Sequence, residues 1–387
     1  VSPQGVASPT KMAPSLRALL PWVMSIAPAV EAHQWPDIFP TPPEVLGFNS
    51  RMLNITPSVR LHVVDRPGLD PHLEPVLFLH GWLDSWRSFQ RVMPLLGSER
   101  RLIAVDLRGF GQSSKPLDSP YDAPMFTGDV AAVLDALDIP RLHCLVGHSM
   151  GSIISWFLAG SQPCRVRNLV LIGSSPVALT PTNPALLAGA RLSSAKHSTS
   201  YEFVKAFQYS TFFDVSTAGE WFLQTVVNQS MLVPIEIWKA ASSGMFSVTE
   251  TQARTLLPNI SARTIVVHGV ADHIFTEQNQ RDLLAMLPAG AEYVEVQRAG
   301  HSVQWEEHGA REVARLLQGV LAASCRGSSV ALGAGAREPA QERPWGWTLL
   351  YVGSPAALVA CMLACACVTE HRWASGEGQV PLLAVSE

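Results

Sequence analysis

The chain has 387 residues, 47% of them hydrophobic and 16% charged, which is enough apolar material for one large globular domain with length to spare. Its 28 basic and 32 acidic side chains give a formal net charge of -4 and are spread along the sequence. No basic surface for a phosphate backbone is expected, which excludes nucleic acid as a partner. The cysteines, scattered at Cys144, Cys164 and Cys325 and crowded at Cys361, Cys365 and Cys367, fit neither a disulfide framework nor a paired zinc spacing.

Residues 1–43 read as a leader, with nine prolines and no periodic pattern. Inside it, Met12, Arg17, an apolar run from Ala18 to Val30 and small residues around Ala32 follow the order of a secretory signal, interrupted by Pro21 and Pro28. Asn54, Asn228 and Asn259 open N-x-S/T sequons, which points the same way.

From 44 to 324 short apolar runs alternate with segments of helical spacing, the pattern of an α/β fold with a mainly parallel sheet flanked by helices. Strands are expected at Val59 to Val64, Val76 to Leu79, Leu102 to Val105, Leu142 to Val146, Leu169 to Ile172, Thr264 to Val267 and Tyr293 to Val296. Such continuous apolar runs suit a sheet covered on both faces. Helical spacing covers Trp86 to Leu96, Ala123 to Leu137, Ser152 to Gly160, Glu277 to Leu287 and Glu306 to Ala322. Residues 176–258 break the alternation with helical runs rich in Phe and Trp, so an inserted helical cap is expected there. Aromatic groups at that spacing serve packing more often than ligand binding, and no single cap residue is assigned.

Residues 325–344, rich in Gly, Ala, Ser and Arg, read as a linker. Trp345 to Val368 then runs 24 residues without a charge. A membrane span needs about 20 apolar residues, so 345–368 is a candidate transmembrane helix, diluted by Gly346, Gly353, Ser354 and Pro355. A tail, 369–387, follows. These ends suggest the secretory pathway or a membrane anchor; without them the chain would be cytoplasmic.

Chemistry concentrates at the ends of strands. Leu142 to Val146 runs into Gly147-His148-Ser149-Met150-Gly151, a G-x-S-x-G followed at once by a helical pattern. Strand, sharp turn and helix form the context in which a serine is held out as a nucleophile, at a helix start whose amides favour negative charge. A serine hydroxyl needs a base, and the base needs a carboxylate behind it. In the order serine, acid, histidine, Asp272 follows the strand ending at Val267, and His301 follows the next strand. His143, His268 and His308 do not fit that order. An oxyanion would be met by the backbone amides of Met150 and of Trp82, the latter in His80-Gly81-Trp82 after the Val76 to Leu79 strand. His80 itself reads as a loop residue. Ser193-Ser194-Ala195-Lys196 matches S-x-x-K without its usual companions, and neither a metal nor a cofactor is required.

Together with Asp106-Leu107-Arg108-Gly109-Phe110-Gly111-Gln112-Ser113, Gly269-Val270-Ala271-Asp272 and Gly300-His301, these motifs resemble the α/β-hydrolase family over about residues 45–323. The resemblance implies a helical cap over the site and a structural turn at Asp106 to Ser113. Haloalkane dehalogenases and epoxide hydrolases share the architecture with an aspartate where Ser149 stands, so the serine-using esterases, lipases, thioesterases, lactonases and carbon–carbon hydrolases are the nearer branch. The expectation is a serine hydrolase acting on a small, apolar acyl substrate. The alternatives are a non-catalytic receptor on the same fold and an acyltransferase or perhydrolase using the same three residues.

Overall fold

A computed structural model describes residues 43–177 and 201–323. The leader, the Ser193 to Lys196 segment, the linker, the 345–368 segment and the tail lie outside the described residues. Among the described residues, no helix is long and apolar enough to cross a membrane.

Eight strands form one sheet: β1 (Asn49–Asn54), β2 (Arg60–Arg66), β3 (Val76–Leu79), β4 (Leu102–Val105), β5 (Leu142–His148), β6 (Val166–Ile172), β7 (Arg263–Gly269) and β8 (Glu292–Val296). Their order is β1-β2-β4-β3-β5-β6-β7-β8. β2 pairs antiparallel with β1 and β4, and every pairing from β4 to β8 is parallel. The period of two along the strands divides the core. Val76, Phe78, Cys144 and Val146 face one side with α8 (Glu307–Ala323), while Leu77, Leu79 and Leu145 face the other with α1 (Ala123–Ala136) and α2 (Met150–Ser161). Both faces are therefore dry, which is why these strands lack polar alternation.

Local chemistry sets the helix starts. Asp122 caps α1 by accepting from the Met125 amide at 2.9 Å, with Pro124 in the first turn, where its missing N–H costs nothing. Between β6 and β7 the chain forms α3 (Tyr201–Tyr209), α4 (Glu220–Met231), α5 (Ile235–Phe246) and α6 (Glu250–Leu256); α7 (Glu277–Met286) joins β7 to β8. Buried and half-buried hydrogen bonds tie the inserted segment to the sheet side. Glu306 accepts from the amides of Phe213 and Asp214 at 3.0 and 2.8 Å, and Arg91 donates to the carbonyls of Trp305 and Ala218. Ser230 donates from its hydroxyl to the Leu83 carbonyl at 2.7 Å.

Two elements differ from the sequence expectation. β1 is an extra edge strand whose residues are almost all exposed, so no apolar pattern marks it; its backbone pairing with β2 forms it. The expected helix from Trp86 to Leu96 is instead two 3₁₀ turns, Trp86–Phe89 and Met93–Leu95. All four residues of the first turn are buried, so packing on every side replaces the one-faced helical period, and Pro94 opens the second.

Candidate active site

Ser149 stands between β5 and α2 with φ 52° and ψ -120°, a conformation that non-glycine residues rarely adopt. Its amide donates to the Ile172 carbonyl at 2.9 Å, which pins the turn to β6. The flanking glycines are required by close approach. A Cβ on Gly147 would strike the Gly151 carbonyl and Ser155, and one on Gly151 would strike the Leu79 and His80 carbonyls. The strain is held because β5, α2 and the loop after β3 close in from three sides.

The loop after β7 supplies Asp272. Its Oδ1 accepts from the amides of Ile274 and Phe275 at 2.8 and 2.9 Å, and its Oδ2 lies 2.9 Å from His301 Nδ1. Three N–H donors thus fix the carboxylate. An imidazole facing a carboxylate through Nδ1 carries its proton there, which leaves Nε2 as the basic nitrogen. His301 is further enclosed by Gly173, which has φ +53°; a Cβ there would come within 3.0 Å of His301 Nδ1. The Phe275 ring meets His301 edge-on at 5.5 Å between centroids.

Ser149 and His301 line the same cavity, of about 70 Å³, together with Trp82, Met150, Ile153 and Phe207 among others. No hydrogen bond joins Ser149 to His301 among the described residues, although both line this wall. The backbone amides of Trp82 and Met150 donate to no protein group among the described residues. The Trp82 ring packs edge-on against Phe207 and Trp238, at 5.5 and 5.7 Å, where the inserted helices reach the loop after β3.

The other candidates are placed elsewhere. His80 accepts from the Leu107 amide through Nε2 at 2.9 Å, so its proton is on Nδ1 and donates to the Gly81 carbonyl at 2.7 Å. Both nitrogens are used, and burial lowers its pKa, keeping it neutral. Asp106 accepts from Trp86 N and Gln112 N and faces His62 Nδ1 at 2.8 Å, which braces the turn after β4. His268 bonds Tyr293 at 2.8 Å on the β7–β8 edge, and His143 lies in β5 near Glu74. Among the described residues no group of His, Cys, Asp and Glu is arranged to hold a metal.

The residues of the cavity wall that the sequence reading missed include two titratable ones. His148, the second residue of G-x-S-x-G, is buried beside His301, and Asp84 lies two residues past Trp82. Burial, and then the neighbouring His301, push the His148 pKa well below the ordinary imidazole value. The available signal for Asp84 was an acid set among mostly apolar neighbours in Trp82-Leu83-Asp84-Ser85-Trp86.

Residues 74–308, more than half the chain, match the family model described as alpha/beta hydrolase fold, and the chain belongs to that family. Its relatives include hydrolases. It is 40% identical over 111 residues to 2-hydroxymuconate semialdehyde hydrolase of Pseudomonas sp. (strain CF600), covering 28% of this chain and 39% of the relative. It is 29% identical over 248 residues to AB hydrolase superfamily protein YisY of Bacillus subtilis (strain 168), covering 61% of this chain and 88% of that one. For the first relatives the matched stretch spans only 31% to 40% of the relative's own length. Among solved structures, the enol-lactonase of Burkholderia xenovorans LB400 superposes with a TM-score of 0.61 at 20% identity, over 70% of this chain and all of the other. At that identity the likeness concerns the fold.

Proposed function

We propose that this hydrolase-family chain is a serine hydrolase that cleaves a carboxylic ester or a related acyl bond through an acyl-enzyme on Ser149. The observation that carries the reading is the strained Ser149, which shares one cavity with a histidine bonded to Asp272 at 2.9 Å. In the proposed reaction His301 Nε2 takes the Ser149 proton as Oγ attacks the carbonyl carbon, and Asp272 stabilises the imidazolium. The Met150 and Trp82 amides meet the oxyanion as charge develops. His301 then protonates the leaving group, and a water activated by the same nitrogen releases the acid. Trp82, Ile153 and Phe207 give the cavity an apolar body, which favours small substrates with an apolar portion.

The test is covalent labelling by a fluorophosphonate probe. The parent protein should label, and Ser149→Ala and His301→Ala should not. A folded parent that stays unlabelled sinks the acyl-enzyme reading and leaves a receptor on the same fold.

A further inference from the structure

The cavity wall contains a set of buried polar atoms that no protein group satisfies. Asp84 is 2% exposed and its two carboxylate oxygens have no hydrogen-bond partner. The Ser85 amide and the Ser88 hydroxyl lie close enough to polarise it but miss hydrogen-bond geometry. Three other residues of the same wall carry orphaned atoms: Trp82 at Nε1, His148 at Nδ1 and Ser302 at Oγ. His148 is neutral and bonds the His301 carbonyl through Nε2 at 3.2 Å, so its Nε2 carries the proton and Nδ1 is a bare acceptor. Acceptors therefore predominate among the orphans.

Leaving buried polar groups unpaired is costly, and an isolated buried carboxylate is the costliest kind. The contrast with Asp272, Asp106 and Glu306, each buried and each fully engaged, shows that this fold ordinarily satisfies its acids. Burial accordingly pushes the Asp84 carboxyl up to about 7, and Ser88 and Ser85 offset only part of that rise.

We propose that Asp84 is the specificity residue of the pocket and that the substrate carries a hydrogen-bond donor, a hydroxyl or an ammonium, that docks on it. The proposal rests on the pocket being the substrate site of the serine hydrolase described above. The substrate is then not a plain alkyl ester: beyond its scissile carbonyl and apolar portion it bears one donor, and a site built to bond a donor rejects the analogue lacking it. Trp82 Nε1 offers the complementary N–H to an acceptor on the same ligand. Asp84 is a binding residue and takes no part in bond cleavage.

Binding is read without turnover, by displacement of ligand from the pocket or by thermal shift, using medium-chain methyl ketones that end in a methyl, a hydroxyl or an ammonium. The ketone stands in for the scissile carbonyl. In the parent protein the hydroxyl or the ammonium ketone should bind about tenfold or more tightly than the methyl ketone. A preference for ammonium that weakens as the pH falls below 7 identifies a cationic donor, and a preference for hydroxyl identifies a neutral one. Asp84→Asn, which keeps an acceptor oxygen, should retain the hydroxyl preference, and Asp84→Leu should abolish both preferences. Equal binding of all three ketones to the parent, or an undiminished preference in Asp84→Leu, overturns the proposal; if Leu does not fold, the parent series and the Asn variant still decide. Because no turnover is needed, a failure of fluorophosphonate labelling and a failure of donor preference are separate results.

Discussion

Two loops at the same end of the sheet each bury an aspartate, Asp84 in the cavity wall and Asp272 behind the wall's His301, and they treat it in opposite ways. The loop after β7 surrounds Asp272 with two amides and an imidazole, whereas the loop after β3 leaves both oxygens of Asp84 without a partner. The difference teaches that burial alone does not assign a role. A carboxylate saturated by fixed donors is part of the scaffold that orients another group, and one left open is available to something that arrives.

The comparison can be broken most severely on its saturated side. Ser149→Ala should lower kcat/KM for any accepted ester by about 10⁵- to 10⁶-fold, since removing one member of a cooperating set costs nearly as much as removing all. Asp272→Asn should cost about 10³- to 10⁴-fold in kcat with the fold retained, because the amide no longer holds His301 with its proton on Nδ1. A loss under tenfold in steady-state kinetics would mean that Asp272 does not orient the base.

Stability measurements sharpen the same contrast on a smaller scale. Glu306→Gln turns an N–H₂ toward the Phe213 and Asp214 amides, and urea unfolding should show a loss of about 2 kcal/mol. Asp84→Asn should act in the opposite direction, because the native carboxyl titrates near 7 against 3.8 for the ordinary group. Above pH 7 the folded state must hold a charge that the unfolded chain holds at ease, and as the pH falls toward 4 the folded state takes up the proton first and recovers that cost. Asp84→Asn should therefore gain about 1–2 kcal/mol at pH 8 and little at pH 5, with Ser85, Ser88 and the field of Asp106 unchanged. A gain that grew with acidity would reverse the sign and refute the assignment of a raised pKa.

Much of this was legible in the residues. The elbow around Ser149 is contiguous, so its two glycines and its position between an apolar strand and a helix could be read directly, and the backbone adopts the strained angles that position demands. Asp272 and His301 are far apart in sequence, yet both follow strands of a parallel sheet, where loops converge. What was not legible depended on partners. β1 has no apolar pattern, because it is made by pairing with β2 rather than by burial. The turns at Trp86 to Leu96 are buried all round, which erases the period that distinguishes one kind of coil from another. Asp84 stood out only as an acid among mostly apolar neighbours; the bonds it lacks, which set it apart in the fold, leave no mark in the sequence.

The inserted helices between β6 and β7 also impose an order in time. The proposed nucleophile, Ser149, leaves the ribosome first, the helices α3 to α6 follow, and only then do Asp272 and His301 emerge. On the proposed mechanism a nascent chain thus carries its serine without its base until His301 is made, and β7 must cross the whole insertion to pair with β6, a long-range closure that forms slowly. On that mechanism, competence to react arrives together with completion of the sheet, since His301 follows β8.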